Sequence, residues 1–402
     1  MINISEFISA KITKRDQSMF LSDIDSNRAE LRKLVEGKKI LVIGGAGTIG
    51  SSYIRAILPF RPTQLVVFDI SENGLTELTR DLRSTYGMYV PDDYKTYPLN
   101  FADPIFRKVF LQNRGFDIVA NFSAHKHVRS EKDRWSVQGL LENNVLKARK
   151  LLDLLTEIPP EHFFCVSTDK AANPVNIMGA SKRVMEDMIM SYSDKFKVTT
   201  ARFANVAFSN GSLLAGFIER VMKHQPLSSP NDVKRYFVSL EESGQICMLA
   251  CLLGHNREIF FPKLGEEQMM TFSSIADEFL HTLGYKIKYC SSEEDARKFA
   301  FEMPMNSKEY PVYYFKSDTT GEKGYEEFYV PGEHLDLERF NALGVIDSIK
   351  PRPKDELDFF LENLNEILQK DTTSKAEIVT VLKSYLPNFN HEEKGKNLDQ
   401  KM

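Results

Sequence analysis

The stretch Lys39-Ile-Leu-Val-Ile43 followed by Gly44-Gly-Ala-Gly47-Thr48-Ile49-Gly50 decides the fold. Its first half is a short apolar run, the pattern of a strand buried on both faces of a parallel sheet. Its second half sets glycines at 44, 47 and 50, just where a helix is due to begin. That spacing lets the chain turn tightly, brings a helix N-terminus up to a pyrophosphate, and packs helix closely on strand. Asp69 ends the next apolar run, 19 residues beyond Gly50. A carboxylate there accepts hydrogen bonds from an adenosine ribose and repels a 2′-phosphate, which favours NAD over NADP. The plainer alternative is a glycine-rich turn with a capping aspartate. The strand-turn-helix setting weighs against it.

Working outward, similar apolar runs occur at 64–68, 117–122, 162–166 and 197–202, with helical patterns between them at 49–58, 75–86, 143–157 and 180–192. This alternation predicts an α/β fold with a doubly wound parallel sheet. Past about residue 205 the alternation breaks down, and Pro226, Pro230, Pro262, Pro304 and Pro311 punctuate a mixed region. The expected organisation is therefore a helical extension (1–37), a dinucleotide-binding domain (38–204), a smaller substrate-binding region (205–345) and a helical C-terminal extension (346–402). The last stretch, from His391, is expected to fray. In the N-terminal extension Asp25 and Ser26 are candidate N-caps for a helix over 27–35, and Gly37 is its stop.

Composition narrows the partners. The chain has 402 residues, 52 basic and 56 acidic, for a net charge of −4. An acidic balance argues against nucleic acid as the main partner. No apolar run approaches the ~20 residues that span a bilayer, and the N-terminus lacks an apolar core of signal-peptide length, so a cytoplasmic protein is expected. The four cysteines form neither a disulfide framework nor a metal pair. Cys247 and Cys251, one helical turn apart among apolar residues, read as core.

Ligands of open α/β sheets bind at the carboxyl edge of the strands. Asn100 and Phe101, Ser123 and Ala124, and the cation Lys126 all follow predicted strands and are expected at that edge. His125 and His127 could share a face, but two histidines without an acid or cysteine cluster make a poor metal site, and no metal is expected.

The most informative stretch is Ser167-Thr168-Asp169-Lys170-Ala-Ala-Asn173-Pro174-Val-Asn176-Ile-Met178-Gly179-Ala-Ser181-Lys182. With the glycine loop, Phe122-Ser-Ala-His-Lys-His-Val128 and Arg202-Phe-Ala-Asn205-Val206, it resembles the extended short-chain dehydrogenase/reductases. More narrowly it resembles the nucleotide-sugar 4,6-dehydratases that act on NDP-N-acetylglucosamine in bacterial surface-glycan synthesis. The resemblance covers roughly residues 38–345. The family normally carries Tyr-x-x-x-Lys; here position 178 is methionine and Lys182 is kept. That departure resembles the configuration-retaining branch, of the legionaminic acid pathway type, and weakens the reading as an ordinary dehydrogenase or epimerase.

The resemblance implies a bound NAD held by Gly44, Gly47, Thr48, Ile49, Gly50, Asp69, Asn100, Phe101, Ser123, Ala124 and Lys182. It implies catalysis by Thr168, Asp169, Lys170 and Lys182: Lys170 as base at the sugar C5, Asp169 as acid for water loss, Thr168 on the C4 oxygen. A lysine serves as base only if burial or a neighbouring cation such as Lys182 lowers its pKa. It implies a nucleotide-sugar held by Lys126, Met178, Asn205, Ser212 and Arg235, the last as a diphosphate fork, and at least a homodimer through the helical segments 143–157 and 180–192. The nucleotide, UDP or GDP, stays open. So do the plainer readings: Asp169-Lys170 as a surface ion pair, Met178 as core filler, residues 205–212 as a solvated loop, or the whole chain as a non-catalytic NAD-binding scaffold.

Overall fold

β1 (Lys39–Ile43) is buried along four of its five residues and pairs in parallel with β2 (Gln64–Phe68) on one side and β4 (Ile118–Asn121) on the other. The structure, a computed structural model, describes residues 2–318, 323–391 and 393, and of Arg129 and Ser130 the backbone only. β3 (Asp93–Tyr97), β5 (His162–Val166) and β6 (Lys197–Ala201) complete a parallel array in the order β3-β2-β1-β4-β5-β6. The sheet does not stop where the strand-helix alternation stops. Glu258–Pro262 adds to β6 in parallel, and Leu343–Asp347 and His334–Asp336 continue it antiparallel, giving nine strands. Continuous apolar runs such as Leu65, Val66 and Val67, all fully buried, are what a sheet covered by helices on both faces requires. The strand order reverses between β1 and β4, so the crevice at their carboxyl ends is where such sheets bind ligands.

A second hydrophobic cluster lies around the three strands Leu227–Pro230, Glu309–Phe315 and Lys286–Tyr289, and includes Phe217, Phe279 and Val312. The N-terminal segment spans both clusters: Phe7, Ile8 and Ile12 belong to the second, Leu31 and Val35 to the main one. Asp23 fastens it further by accepting the amides of Asn341 and Ala342 at 2.6 and 2.9 Å. The expected caps at Asp25 and Ser26 are corrected here. Both lie inside a preceding helix, Leu21–Ser26, and the next helix, Arg28–Val35, starts from Asn27 without a side-chain cap. A short polar segment had room for two helices separated by one residue.

At the C-terminal end, helices Lys354–Gln369 and Lys375–Tyr385 pack on each other, with the Phe360 and Tyr385 rings stacked at 4.3 Å. They also grip the helices expected to lie between copies. Arg149, on Ala148–Leu155, meets Asp358 at 2.5 Å, and Arg352, just before the first of the pair, meets Asp187 on Ile177–Met190 at 3.1 Å. Part of the surface expected at a dimer contact is thus covered by the chain's own C-terminal helices. The tail expected to fray lies outside the described residues apart from His391 and Glu393.

Candidate active site

The glycine loop fits between β1 and its helix because side chains have been removed from it. A Cβ on Gly44, whose φ is +77°, would lie 2.6 Å from the Ser123 amide nitrogen; one on Gly50 would lie 2.3 Å from the Gly44 carbonyl oxygen. Gly47 starts helix Thr48–Ile57 with no side-chain cap, so the first amides of that helix are left for a ligand. Asp69 stands at the end of β2 and accepts the amides of Ala46 (3.0 Å) and Ser71 (2.9 Å). An uncapped helix N-terminus, a backbone cradle and a carboxylate at the second strand's end suit a dinucleotide.

Thr48 and Ile49 open that helix, and the Thr48 hydroxyl accepts the Asn210 amide at 2.9 Å. The loop 205–212 therefore lies against the glycine loop, and Lys126 donates to its Asn210 carbonyl at 3.2 Å. Ser123 donates its amide and hydroxyl to Asn121, while Ala124 leads to His125, whose amide and carbonyl are both held by the side chain of Asn144. Asn144 also donates to Ser181, tying this edge to the helix that carries Lys182.

β5 delivers the Thr168–Lys170 segment. Thr168 donates its hydroxyl to Asp169 Oδ1 at 2.8 Å, and Lys170 donates both its amide (2.9 Å) and its ammonium (3.0 Å) to the same oxygen. This is no surface ion pair, since Asp169 is 4% exposed. The turn is anchored from below. Ser167 donates to Glu186 at 2.6 Å, and Glu186 receives a two-pronged contact from Arg202, itself fully buried. Burial alone would raise the Glu186 pKa; Arg202 overrides it and holds the carboxyl below its ordinary value.

Several expected roles are revised by the geometry. Lys170 is not held low as a base would be. Burial pulls its pKa down, but Asp169 and Glu326 outweigh it and leave the ammonium above its ordinary value; the facing cation is Arg235, not Lys182. Lys182 is 3% exposed and donates to the Val166 carbonyl at 2.9 Å, with burial lowering its pKa. Met178 has its side chain in the main core, the plainer of its two readings; its amide is held by Glu131 at 2.9 Å. Phe101 likewise has its ring in the core, while Asn100 caps a turn by accepting the Ala102 amide. Ser212 caps helix Leu213–Met222 through the Ala215 amide, and Asn205 pairs by backbone with Tyr236. Arg235, expected as a diphosphate fork, is 5% exposed and donates to the carbonyls of Lys234, Lys323 and Gly324. Its guanidinium is engaged by a distant strap because that strap folds back over the site.

Glu326, on that strap, is the residue that sequence reasoning missed. It is buried, 3.5 Å from Lys170 Nζ and 3.7 Å from Arg235. Nothing local marks it, for Tyr325-Glu326-Glu327 reads as an ordinary exposed loop.

The polysaccharide biosynthesis protein model matches residues 40–345. The chain belongs to the polysaccharide biosynthesis protein family. Among relatives of this family member is the probable polysaccharide biosynthesis protein EpsC of Bacillus subtilis, 27% identical over 260 residues, which are 64% of this chain and 42% of that protein. The chain thus spans about two fifths of EpsC's length. A UDP-N-acetylglucosamine 4,6-dehydratase (inverting) of Campylobacter jejuni is 25% identical over 63% of this chain and 74% of its own. UDP-glucose 4-epimerases of Rickettsia bellii match at similar identity. The fold is similar to that of Pen from Bacillus thuringiensis, with a TM-score of 0.63 at 20% identity, over 83% of this chain and 99% of that one.

Proposed function

We propose that this family member is an NAD-dependent nucleotide-sugar 4,6-dehydratase, acting on UDP- or GDP-N-acetylglucosamine and retaining the configuration at C5, in surface-glycan synthesis of the legionaminic acid type. The observation that carries the reading is the Thr168–Asp169–Lys170 cluster around a buried Asp169 at the carboxyl end of β5, in the sheet whose β1 leads into the glycine loop, with no tyrosine at position 178. The similarity to an inverting UDP-N-acetylglucosamine 4,6-dehydratase supports the dehydratase part of this reading, and retention rests on the methionine at position 178.

The cofactor's chemistry is to take a hydride from C4 of the sugar and return it to C6. Gly44, Gly47, Gly50 and Asp69 would hold it. Asp169 accepts the proton of the C4 hydroxyl, with Thr168 hydrogen-bonded to that oxygen. The ketone acidifies the C5 hydrogen, which Lys170 removes as a proton. Asp169 then passes its proton to the departing C6 hydroxyl, which leaves as water. Return of a proton from Lys170 to C5, on the face it came from, keeps the configuration. Because the proton taken from the C4 hydroxyl is the one that leaves with water, one carboxylate covers both tasks and a tyrosine is not needed.

Incubation with UDP- and GDP-N-acetylglucosamine in deuterated water tests this. Loss of one water, deuterium at C5 and no net NADH are expected; an unchanged sugar with both nucleotides refutes it. A C4 epimer would favour an epimerase instead.

A further inference from the structure

We propose that Glu326 is a positioning residue for Lys170: it accepts the ammonium proton, so that Lys170 works as a neutral base. This rests on the dehydratase reading above. The difficulty it resolves is visible in the geometry. Lys170 sits 3.0 Å from Asp169 and 3.5 Å from Glu326, and a lysine between two carboxylates stays charged. A charged ammonium has no lone pair for a C5 proton.

Glu326 offers the way out. Its side chain is 3% exposed, and the charged groups facing it are Lys170 and Asp169 from the turn after β5, Arg235 from Lys234–Arg235, and Lys323 from its own strap. Burial and the charge of Asp169 outweigh the cations and raise its pKa above the ordinary carboxylate value. Transfer breaks one N–H bond on Lys170 and forms one O–H bond on Glu326. A positive and a negative charge vanish together, and a site emptied of water by the sugar favours that exchange. The freed lone pair on Nζ takes the C5 proton, restoring the ammonium. When that proton returns to C5, Glu326 gives its own back to Lys170, and the pair ends as it began.

The position of the carboxylate is fixed by its surroundings. Arg235 clamps the carbonyls of Lys323 and Gly324, and Lys234 donates its amide to Gly324 at 2.9 Å. Further along, Arg202 holds the Phe328 carbonyl and Glu333. The strap bearing Glu326 is thus pinned on both sides by buried arginines.

Two measurements on the full-length protein test this. In the first, Glu326→Gln keeps the shape and cannot accept the proton; kcat should fall on the order of a hundredfold or more with KM little changed. Glu326→Asp should restore part of it. In the second, acetylation of lysines by acetic anhydride is followed across pH by mass spectrometry. Lys170 should react with a midpoint above that of the exposed Lys350 in the wild type; in Glu326→Gln the midpoint should fall but stay above the assay pH, because Asp169 still holds the ammonium, which leaves Lys170 charged with no acceptor for its proton. Wild-type kcat in Glu326→Gln, a rise confined to KM, or a Lys170 midpoint that does not move overturns the proposal. If Glu326→Gln does not fold, a wild-type Lys170 midpoint no higher than that of Lys350 does the same. If the wild type converts neither sugar, the dehydratase reading fails alone, since the labelling reports the Lys170–Glu326 coupling without turnover.

Discussion

Replacing Arg202 with methionine probes how the Thr168–Lys170 turn is held. Arg202 is fully buried and makes five hydrogen bonds: two to Glu186, two to Glu333 and one to the Phe328 carbonyl. Methionine fills much of the stem's volume but leaves Glu186, 1% exposed, with the Ser167 hydroxyl and with Arg183 at 3.6 Å. Breaking a buried pair from one side costs about 3–5 kcal/mol, because the remaining charge stays in a poorly solvating site. Glu333 is more open, with 16% of its side chain exposed, and water replaces part of its loss. The expected cost is therefore about 3 kcal/mol at neutral pH, the lower end of that range. The pH dependence gives a sharper check. In the wild type Glu186 has a lowered folded-state pKa, so its stabilisation is present above the unfolded value and lost as pH falls through the folded one. In Arg202→Met burial dominates and the folded pKa rises, so the sign reverses: Glu186 costs stability as pH climbs past the unfolded value. Urea unfolding at pH 7.5 and pH 5 should then show a smaller penalty at pH 5, where Glu186 begins to protonate. A loss under ~1 kcal/mol, equal at both pH values, refutes this account of the pair.

Gly50→Ala should distort the loop, since its Cβ meets a backbone oxygen at 2.3 Å; about 1–3 kcal/mol of stability and the bound NAD should be lost, read by thermal melting and by absorbance of released cofactor. Gly47→Ala is the control, because its Cβ has 3.4 Å of room, and it should melt within ~1 kcal/mol of the wild type. Asp169→Asn should lower turnover by roughly 10²–10⁴-fold while NAD stays bound, measured by product formation and cofactor content on the same sample. Asp69→Ala removes the acceptor for the Ala46 and Ser71 amides and should weaken NAD retention by about 1–2 kcal/mol, measured by cofactor loss on dilution.

The local chemistry of this protein is written in neighbouring residues. An apolar run, three glycines and an aspartate specify a strand, a tight turn and an uncapped helix start, because each feature depends on backbone sterics within a few residues. The order Thr168-Asp169-Lys170 after a strand likewise places a hydroxyl, a carboxylate and an ammonium on one turn. For the same reason the buried fate of Cys247 and Cys251 could be read from their spacing among apolar residues.

Tertiary structure decided what those groups can do. How firmly Lys170 holds its charge depends on Glu326 as well as on the adjacent Asp169, whether Arg235 is open depends on the strap that folds over it, and how the turn is held depends on Arg202 and Glu333, 131 residues apart. None of these partners has a sequence signature, since a glutamate in a polar loop looks the same whether it faces water or a buried lysine. The sign and size of an electrostatic interaction come from distance and solvent exclusion, and both are properties of the folded chain, not of its residue order.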